Sequence, residues 1–413
     1  MNDADWLSAD RAARLLEVRK PTLYAYVSRG LLRARKAGAH SSYSRQDVEL
    51  LRARSSARKG NAAVAGGALL WGEPVLDTRV SSMSLQGPEY RGHAAIALAR
   101  DNVSAERVGE LLWTGVLPAH ACWPSVPREW LAQAAPVVAG HHSPLLAMLA
   151  AVASLPPWPR LDPEAELTRA RSLVRCLATI PALRVSLANG QRAARAATLA
   201  QSLLHAEAQQ RPRKRDQEHS TLRERAVECA LVVLADHELN ASAFAARVAA
   251  GAGADLPRCL CAALGTLSGD RHGGAAERIG AWVDAFTRPE QALTWVRAEL
   301  GARRAIPGFG HTLYPDGDPR TAPLLEAAEQ LKPDDLRVRA LRVASDAMAL
   351  AGAERATVDV GLVALASALG WSPQAATALF AVGRSLGYVA HILEQREQGH
   401  LLRPRARYVG KTL

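Results

Sequence analysis

The charge balance and the apolar pattern of the chain change near residue 68, and this change constrains its fold more than any single motif does. Residues 1–66 hold 13 Lys/Arg against six Asp/Glu, whereas the other 347 residues hold 38 against 34. Residues 54–67 lack apolar periodicity and are rich in small and basic residues, which is typical of a linker. A chain of 413 residues can bury two or three domains. We therefore predict a basic N-terminal domain over 1–53, a linker over 54–67 and a larger second part.

The first of these regions has the pattern of a small helical domain. Residues 8–17 and 21–28 each predict a short helix, the second with proline at a favourable first position and a stop at Gly30. A basic loop then leads to a polar strand near 42–44, and Asp47 begins a further helix. The basic excess of this domain points to nucleic acid as its partner.

The second part is predicted to be mainly helical. Aromatic residues make up only 5% of the chain while alanine and leucine abound, which favours helix over strand. We predict a β-rich start around 76–80 and then long helices, of which 225–249 is a strong one. No apolar run is long enough to cross a bilayer, and the acidic N-terminus lacks a hydrophobic signal core, so we expect a cytoplasmic protein.

Cysteine usage points to neither disulfides nor a metal centre. The cysteines are odd in number and lack paired metal-ligand spacing; they are Cys122, Cys176, Cys229, Cys259 and Cys261. We expect buried, reduced thiols and no bound metal.

Titratable side chains stand in distinctive short contexts across the C-terminal half. The helix predicted over 225–249 carries an Asp-His-Glu cluster centred on His237, and such a cluster on a buried helix requires partners. His272 precedes two glycines and a helical pattern, where backbone approaches a ligand closely and a helix N-terminus supports negative charge. The loop 307–311 ends in His311 and offers main-chain groups to an adenine or pantetheine. Taken alone, each feature also fits a satisfied core histidine or a flexible turn.

The N-terminal 53 residues resemble the MerR/excisionase type of DNA-binding domain. The resemblance is carried by the segments 21–26, 29–32 and 43–48. It implies a winged helix–turn–helix module, with the second helix in the major groove and the wing on backbone phosphates. A small helical module for protein contact is the alternative.

The larger part resembles the citrate synthase family, with its motifs in the family's order. The segments that carry this resemblance are 90–92, 110–118, 235–242, 272–275, 308–311, 318–320, 358–359, 379–391 and 403–410. The resemblance implies a mainly α fold with a large domain over 68–271 and 361–413 and a small domain over 272–360. It also implies a homodimer, no cofactor, and condensation of an acyl-CoA with oxaloacetate and water to give citrate and CoA, with acetyl-CoA as the first candidate donor.

The same resemblance implies three catalytic roles. Asp359 would be the base that removes an α-proton from the acyl thioester, and His272 would stabilise the enol or enolate. His311 would polarise the ketone of oxaloacetate and donate a proton to the new alcohol. A thioester α-proton is too weakly acidic for a free carboxylate at neutral pH, so positioned donors must stabilise the oxyanion that develops.

Substrate-binding roles follow from the resemblance as well. His237 would contact oxaloacetate, Arg320 and Arg384 would hold its carboxylates, and Arg403 would reach in from the partner subunit. Arginine suits this task because its planar fork binds two carboxylate oxygens at once, although a surface ion pair is the alternative for each arginine taken singly. Coenzyme A would be bound by Ile306, Pro307, Gly308, Phe309 and Gly310.

The sequence departs from the family pattern beside the predicted catalytic residues. The family commonly has Gly-Pro-Leu before its first catalytic histidine, where this chain has Gly269-Asp270-Arg271, and we expect these charges to alter the proton affinity of His272. The residues on either side of Asp359, over 356–362, are unusually small and mostly apolar. Two alternatives stay open. One is propanoyl-CoA as the donor, making 2-methylcitrate, because a single methylene is discriminated only modestly. The other is a DNA-binding regulator that uses the synthase fold as a metabolite sensor.

Overall fold

The computed structural model describes residues 6–16, 18–28, 31–37, 40–45, 47–48, 51, 76–159, 162–206 and 217–404. The chain forms two compact units, the N-terminal unit Met1–Asp77 and the C-terminal unit Thr78–Leu413. The predicted linker over 54–67 lies outside the described residues, as do Gly30 and part of the helix predicted from Asp47. The division of the C-terminal unit into a large and a small domain stays a prediction.

The N-terminal unit combines two helices with an antiparallel sheet. Its elements are β1 (Trp6–Ser8), α1 (Ala9–Leu16), α2 (Lys20–Ser28), β2 (Ala34–Ala37) and β3 (His40–Ser44). β3 lies between β1 and β2, with Leu7 opposite Tyr43, and both side chains are buried with Leu23. Both predicted helices are present, and the strand predicted near 42–44 lies in β3. The pattern does not predict β1, because three residues are too few to show a periodicity.

A small sheet opens the C-terminal unit. β4 (Ser81–Ser84), β5 (Gly87–Tyr90) and β6 (His93–Ala94) pair antiparallel in that order. The prediction of a β-rich start around 76–80 is wrong by a few residues. Thr78 Oγ1 and the backbone N–H of Arg79 donate to the carboxylate of Glu394, at 2.7 and 2.6 Å, so a side chain rather than a neighbouring strand holds this segment.

Helices make up most of the remaining C-terminal unit, as the composition predicts. In chain order they are α3 (Ala95–Arg100), α4 (Ala105–Thr114), α5 (Arg128–Val138), α6 (Pro144–Ala153), α7 (Pro163–Val185), α8 (Leu187–Arg195), α9 (Leu199–Leu204), α10 (Gln217–Leu234), α11 (Ala241–Gly251), α12 (Leu256–Leu267), α13 (Ala275–Val283), α14 (Gln291–Gly301), α15 (Thr321–Leu331), α16 (Leu336–Leu350), α17 (Val358–Leu369) and α18 (Pro373–Gln398). α15 packs along α17, and α11 packs along α12. The predicted mainly α fold is confirmed, with a small sheet in each unit.

The segment 225–249 does not form the single helix that its pattern predicts. α10 ends before 235–240 and α11 begins after it, and Glu238 between them has a φ of 53°. The side chain of Asn240 caps α11 by accepting hydrogen bonds from the backbone N–H groups two and three residues later, both at 3.1 Å. Such polar side chains give the backbone a local alternative to the helix. The break places His237 in an irregular turn.

α18 is the central helix of the C-terminal unit. It contacts α4, α6, α7, α10, α11, α12, α13 and α17. By length and composition this helix is able to cross a membrane, but 83% of its apolar window is buried inside the protein. The core helix of a globular fold has the same properties, so the apolar character of α18 reflects packing.

A buried polar network joins α11 to the end of α18. The side chain of Arg247 is fully buried, and its Nε, Nη1 and Nη2 atoms donate to Gln395, Glu394 and Gln398 at 2.9, 3.0 and 2.6 Å. Glu394 also accepts the two hydrogen bonds from 78–79. Glu394 of this buried ion pair therefore connects residues 78–79, at the start of the C-terminal unit, to α18.

The cysteines are not all buried as predicted. Cys176 and Cys259 are buried, and burial raises the pKa of the Cys259 thiol to about 12. Cys122 is exposed in the loop between α4 and α5. Connecting loops run over the surface, so the prediction of buried thiols is wrong for Cys122.

Candidate active site

Two of the predicted site histidines lie side by side with a tyrosine. His237 Nε2 is 3.1 Å from the hydroxyl of Tyr314, and the ring centroids of His237 and His311 are 5.5 Å apart. The rings of His311 and Tyr314 are 4.9 Å apart. Tyr314 is 2% exposed and is a part of this site that the sequence motifs do not single out. The break after α10 and the loop after 306–310 thus bring their aromatic side chains to one place.

The hydrogen bonds of His311 determine where its proton sits. Its Nδ1 accepts a hydrogen bond from the backbone N–H of Leu313 at 3.1 Å, so the neutral ring carries its proton on Nε2. Burial lowers the pKa of His311, and the charge of Arg320 adds to this effect while Asp318 opposes it. His311 is therefore a neutral ring whose Nε2 is able to donate to a carbonyl oxygen.

Arg320 is held by a neighbouring carboxylate. Its Nε and Nη2 donate to Asp318 Oδ1 and Oδ2 at 2.9 and 2.7 Å, and both side chains are buried. Asp318 Oδ2 also accepts from the backbone N–H of Val358, the first residue of α17. Nη1 of Arg320 has no hydrogen-bond partner among the residues that the structure describes. A fixed guanidinium with one terminal nitrogen left over is suited to a carboxylate ligand.

Arg384 is a buried cation without a carboxylate partner in the described part of the chain. It is 2% exposed, its Nε donates to the backbone carbonyl of Leu234 at 2.7 Å, and its guanidinium lies 4.7 Å from the ring centre of Phe380. Burial lowers its pKa. Its charge also lowers the pKa of both His237 and His272, which puts the three in one electrostatic environment. The charge of Asp236 acts on Arg384 without forming an ion pair with it, so the buried guanidinium has no directly bonded carboxylate among the described residues and this position attracts a further anion.

His272 is anchored from the other side of the site. Its Nε2 is 2.6 Å from Ser242 Oγ, which also receives a hydrogen bond from Tyr388 at 2.7 Å. Burial, with the charge of Arg384 added, lowers the pKa of His272 to about 4, so the ring is neutral at pH 7. Asp270 and Arg271 are exposed and are not among the causes of this shift. The expectation that these two charges alter the proton affinity of His272 is therefore wrong.

Asp359 lies in the first turn of α17. Its Oδ2 accepts a hydrogen bond from Thr357 Oγ1 at 3.1 Å. Asp359 is half-buried, and burial raises the pKa of its carboxyl. The Thr357 hydrogen bond and the charge of Arg320 lower this pKa but do not outweigh burial. A raised pKa makes the carboxylate a stronger base, and the charge of Arg320 acts on Asp359 as it does on His237 and His311.

The loop predicted to bind coenzyme A is fastened to the segment before Asp359. The backbone N–H of Gly310 donates to the carbonyl of Arg355 at 2.9 Å, and that of Thr357 donates to the carbonyl of Gly308 at 2.8 Å. Gly308 has a φ of 93°, and a Cβ there would lie 2.8 Å from the side chains of Ile279 and Val360, so glycine is required. Main-chain contacts to coenzyme A by 306–310 stay a prediction, and these main-chain groups are engaged within the protein.

Comparison with known proteins decides the family. Residues 69–405 match the family model described as citrate synthase, C-terminal domain. The chain belongs to the citrate synthase family. The resemblance inferred from the ordered motifs is thereby confirmed for the larger part of the sequence.

Relatives within the citrate synthase family carry two different names. The chain is 36% identical over 201 residues to citrate synthase 2 of Bacillus subtilis, covering 47% of this chain and 53% of that protein. It is 33% identical over 194 residues to the 2-methylcitrate synthase of Shewanella oneidensis, covering 46% of this chain and 52% of that protein. The matched part thus spans about half the length of each of these relatives.

A solved structure supports the citrate synthase fold. The ternary complex of citrate synthase from Thermoplasma acidophilum with carboxymethyl coenzyme A and oxaloacetate has a TM-score of 0.67 at 23% identity. The match covers 82% of this chain and 95% of that chain. At this identity the likeness shows the fold of the C-terminal unit.

One residue predicted for the citrate synthase-type site lies apart from the cluster described so far. Arg403 is exposed in the segment after α18, where Gln395 Nε2 donates to the backbone carbonyl of His400 at 3.0 Å. Its proposed position in the site of a partner subunit stays a prediction. An exposed arginine on a segment fastened to the central helix is compatible with such a contact.

The lowered histidine pKa values predict a loss of stability in acid. Burial lowers the pKa of His272 to about 4 in the folded protein, whereas the unfolded chain has the ordinary histidine pKa of 6.5. Between these values the unfolded chain binds more protons, so the free energy of unfolding falls as the pH is lowered. We expect His272→Gln to weaken this dependence in urea titrations between pH 7 and pH 4.5, and the exposed His120→Gln to keep it. An unchanged dependence in His272→Gln would contradict the burial of that ring in the neutral form.

Proposed function

We propose that this protein condenses an acyl-CoA with oxaloacetate and releases CoA, with acetyl-CoA as the donor and citrate as the product. The observation that carries the proposal is the buried Arg384, which lacks a carboxylate partner among the described residues and shares its environment with His237 and His272. Asp236 acts on Arg384 without a direct contact, so an anionic ligand would supply the carboxylate at bonding distance. Neutral rings and a carboxyl of raised pKa around an anion site are suited to chemistry beside a carbonyl group.

The first step is removal of an α-proton from the acyl thioester. Asp359 takes the proton, the C–H electron pair forms the C=C bond of the enol, and the thioester oxygen takes up the charge. His272 stabilises that oxygen by a hydrogen bond from Nδ1 of its neutral ring, while Nε2 accepts from Ser242 Oγ and holds the ring in place. The raised pKa of Asp359 brings its basicity closer to that of the thioester α-carbon from which it takes the proton, which lowers the cost of the transfer.

The second step joins the two substrates. The enolate carbon attacks the ketone carbon of oxaloacetate, which restores the thioester carbonyl, and the ketone oxygen takes the proton from His311 Nε2 as it becomes an alcohol. The proton that Asp359 removed returns through water to His311, so both groups end the cycle in the state in which they began it. Water then attacks the thioester carbonyl, which breaks the C–S bond and releases CoA as a thiol. Arg320, through Nη1, and Arg384 hold the carboxylates of oxaloacetate with His237, so the ketone lies against His311.

Propanoyl-CoA is the alternative donor within the same chemistry, giving 2-methylcitrate. One relative is named a citrate synthase and another a 2-methylcitrate synthase, at similar identity to this chain. The two donors differ by one methylene, which a pocket discriminates by about 1–3 kcal/mol.

We further propose that the active form is a homodimer in which Arg403 completes the site of the partner subunit.

Release of free thiol tests the proposed function. Purified protein mixed with oxaloacetate and acetyl-CoA or propanoyl-CoA is expected to release CoA thiol, detected with a chromogenic disulfide reagent. Omission of oxaloacetate is the control for simple thioesterase activity, and it should abolish the signal. The ratio of kcat/KM for the two donors assigns the acyl group. No oxaloacetate-dependent release with either donor would rule out the synthase and favour a metabolite sensor.

The N-terminal unit suggests a second activity, and we propose that it binds duplex DNA. Arg19 and Lys20 are exposed at the start of α2, and Tyr24 on the same helix is 59% exposed. The basic excess of residues 1–66 supports this proposal. A second helix preceded by a turn and followed by a short hairpin is suited to groove binding.

A salt titration of DNA binding checks this second proposal. We expect affinity for duplex DNA to fall with salt, and the pair Arg19→Glu and Lys20→Glu to reduce the slope of log affinity against log salt by roughly 2. The matched control reverses two exposed arginines of the C-terminal unit, Arg128 and Arg195, and should bind as the parent does. Equal weakening by both pairs would mean that the attraction is only the net charge of the chain.

A further inference from the structure

Three consecutive residues at the end of α10 contact three residues on one face of α18. Arg384 Nε donates to the carbonyl of Leu234 at 2.7 Å, and the backbone N–H of Gly387 donates to the carbonyl of Ala235 at 2.9 Å. The third contact joins the His391 ring to the Asp236 carboxylate, with Nε2 3.3 Å from both carboxylate oxygens. Residues spaced by three and four positions lie on one side of a helix, so these contacts form a continuous seam. We call it the 234–236 seam.

The third contact is the one that joins two side chains. Asp236 and His391 are both fully buried. Asp236 Oδ2 also accepts from the backbone N–H of Glu238 at 3.1 Å and from the hydroxyl of Ser81. The hydrogen bond from Glu238 therefore fixes the backbone that follows His237 relative to Asp236, the residue that precedes it. Burial alone would raise the pKa of Asp236, but His391 and the other partners hold it below its ordinary value.

The seam allows very little freedom between the two segments. A Cβ at Gly387 would overlap Asp236 Oδ1 and the carbonyl oxygen of Ala235, so only glycine lets the helix approach this closely. Nδ1 of His391 has no partner among the described residues, so the ring is fixed through its Nε2. Asp236 Oδ1 has no hydrogen bond among the described residues and lies 3.3 Å from His391 Nε2, so a displacement at the His391 end would take this contact from a buried oxygen, which is costly.

We propose that Asp236 and His391 are positioning residues that orient His237 and Arg384 toward one and the same keto-acid ligand. His237 follows Asp236 directly in the chain, and Arg384 lies on the face of α18 that carries His391. Neither member of the pair has to touch the ligand, because each acts through its neighbour. The identity of the ligand as oxaloacetate rests on the function proposed above.

A positioning role differs from a general stabilising role in its kinetic signature. Loss of the pair loosens the two groups that bind the keto acid, whereas Ser242 and Tyr388 still hold His272 at the acyl end. The KM for oxaloacetate should therefore rise while the KM for the acyl-CoA stays close to the parent value. A general loss of stability would affect both substrates alike or lower only the melting temperature.

Three variants test this inference in the full-length protein. His391→Leu removes the hydrogen bond and is expected to raise the KM for oxaloacetate roughly 10–100-fold, as for loss of a bond to a charged group. His391→Gln keeps a donor at the position of Nε2 and should restore a KM within about threefold of the parent value. Ser385→Ala removes a buried hydroxyl of the same helix that, within the described part of the chain, bonds only to Val382, and should change neither KM. Equal rises in both KM values, or no rescue by His391→Gln, would overturn the proposal.

A spectroscopic readout separates failure of the seam from failure of the proposed function. The ¹⁵N resonances of the His237 ring, assigned by their loss in His237→Gln, report the contact with Tyr314 without any turnover. We expect them to shift in His391→Leu and to stay unchanged in His391→Gln and Ser385→Ala. If the parent releases no CoA but this pattern holds, the positioning pair stands and the synthase does not. Unshifted His237 resonances in His391→Leu would overturn the pair itself.

Discussion

Asp359→Asn lowers kcat for CoA release by about 10²–10⁴-fold, which is the contribution of a well-placed general base. The amide has nearly the same shape and still accepts from Thr357, so the fold and the binding of both substrates should persist. The loss therefore belongs to proton abstraction. It is measured as kcat under saturating substrates, together with the melting temperature.

A matched control separates the base from a general effect of charge. Asp346→Asn removes an exposed carboxylate from α16 and should leave kcat at the parent value. Full activity of Asp359→Asn would assign the base to another group. A large drop in melting temperature would instead show that the carboxylate is structural.

Arg247→Met lowers the free energy of unfolding by about 3–5 kcal/mol, because it leaves Glu394 buried without its cation. The loss should exceed that for any exposed ion pair of this chain, since surface pairs contribute little. Urea denaturation followed by circular dichroism measures the change. Because Glu394 also holds 78–79, we expect early proteolysis near that segment.

The control for this stability effect is an ion pair of the same chemistry at the surface. Arg304→Met removes the partner of Glu299, where the arginine side chain is 62% exposed, and should leave the unfolding midpoint nearly unchanged. Similar losses in both variants would mean that burial of the Arg247 network adds nothing. A double change of Arg247 and Glu394 to apolar residues should recover part of the lost stability.

The local features of the fold were predictable where a short pattern decides them. The two helices of the N-terminal unit and the helix after His272 follow from apolar spacing and glycine or proline boundaries. The break after α10 escaped the apolar pattern, although Asn240 before α11 is a capping residue and was the available signal. A long apolar run predicts a helix and says nothing of a buried carboxylate that competes for its backbone.

The candidate site was predictable as a set of groups and only partly as an arrangement. The structure brings His237 and His311 together and places Arg320 beside them. Tyr314 was missed, because a tyrosine in a loop carries no motif, although its position three residues after His311 was visible. Asp270 and Arg271 were given too much weight, because the sequence does not show that both side chains point into solvent.

The sequence alone determined which chemical groups this protein has and in what order they occur. The order of these groups indicated the family, because sequence motifs are local and are recognisable without knowledge of the fold. Only the tertiary structure decided which groups meet: His237 with Tyr314, Asp236 with His391, and Arg384 with no directly bonded carboxylate among the described residues. Pairing and burial depend on distances between residues far apart in the chain, and they set the pKa values and the unmatched charge on which the proposed chemistry rests.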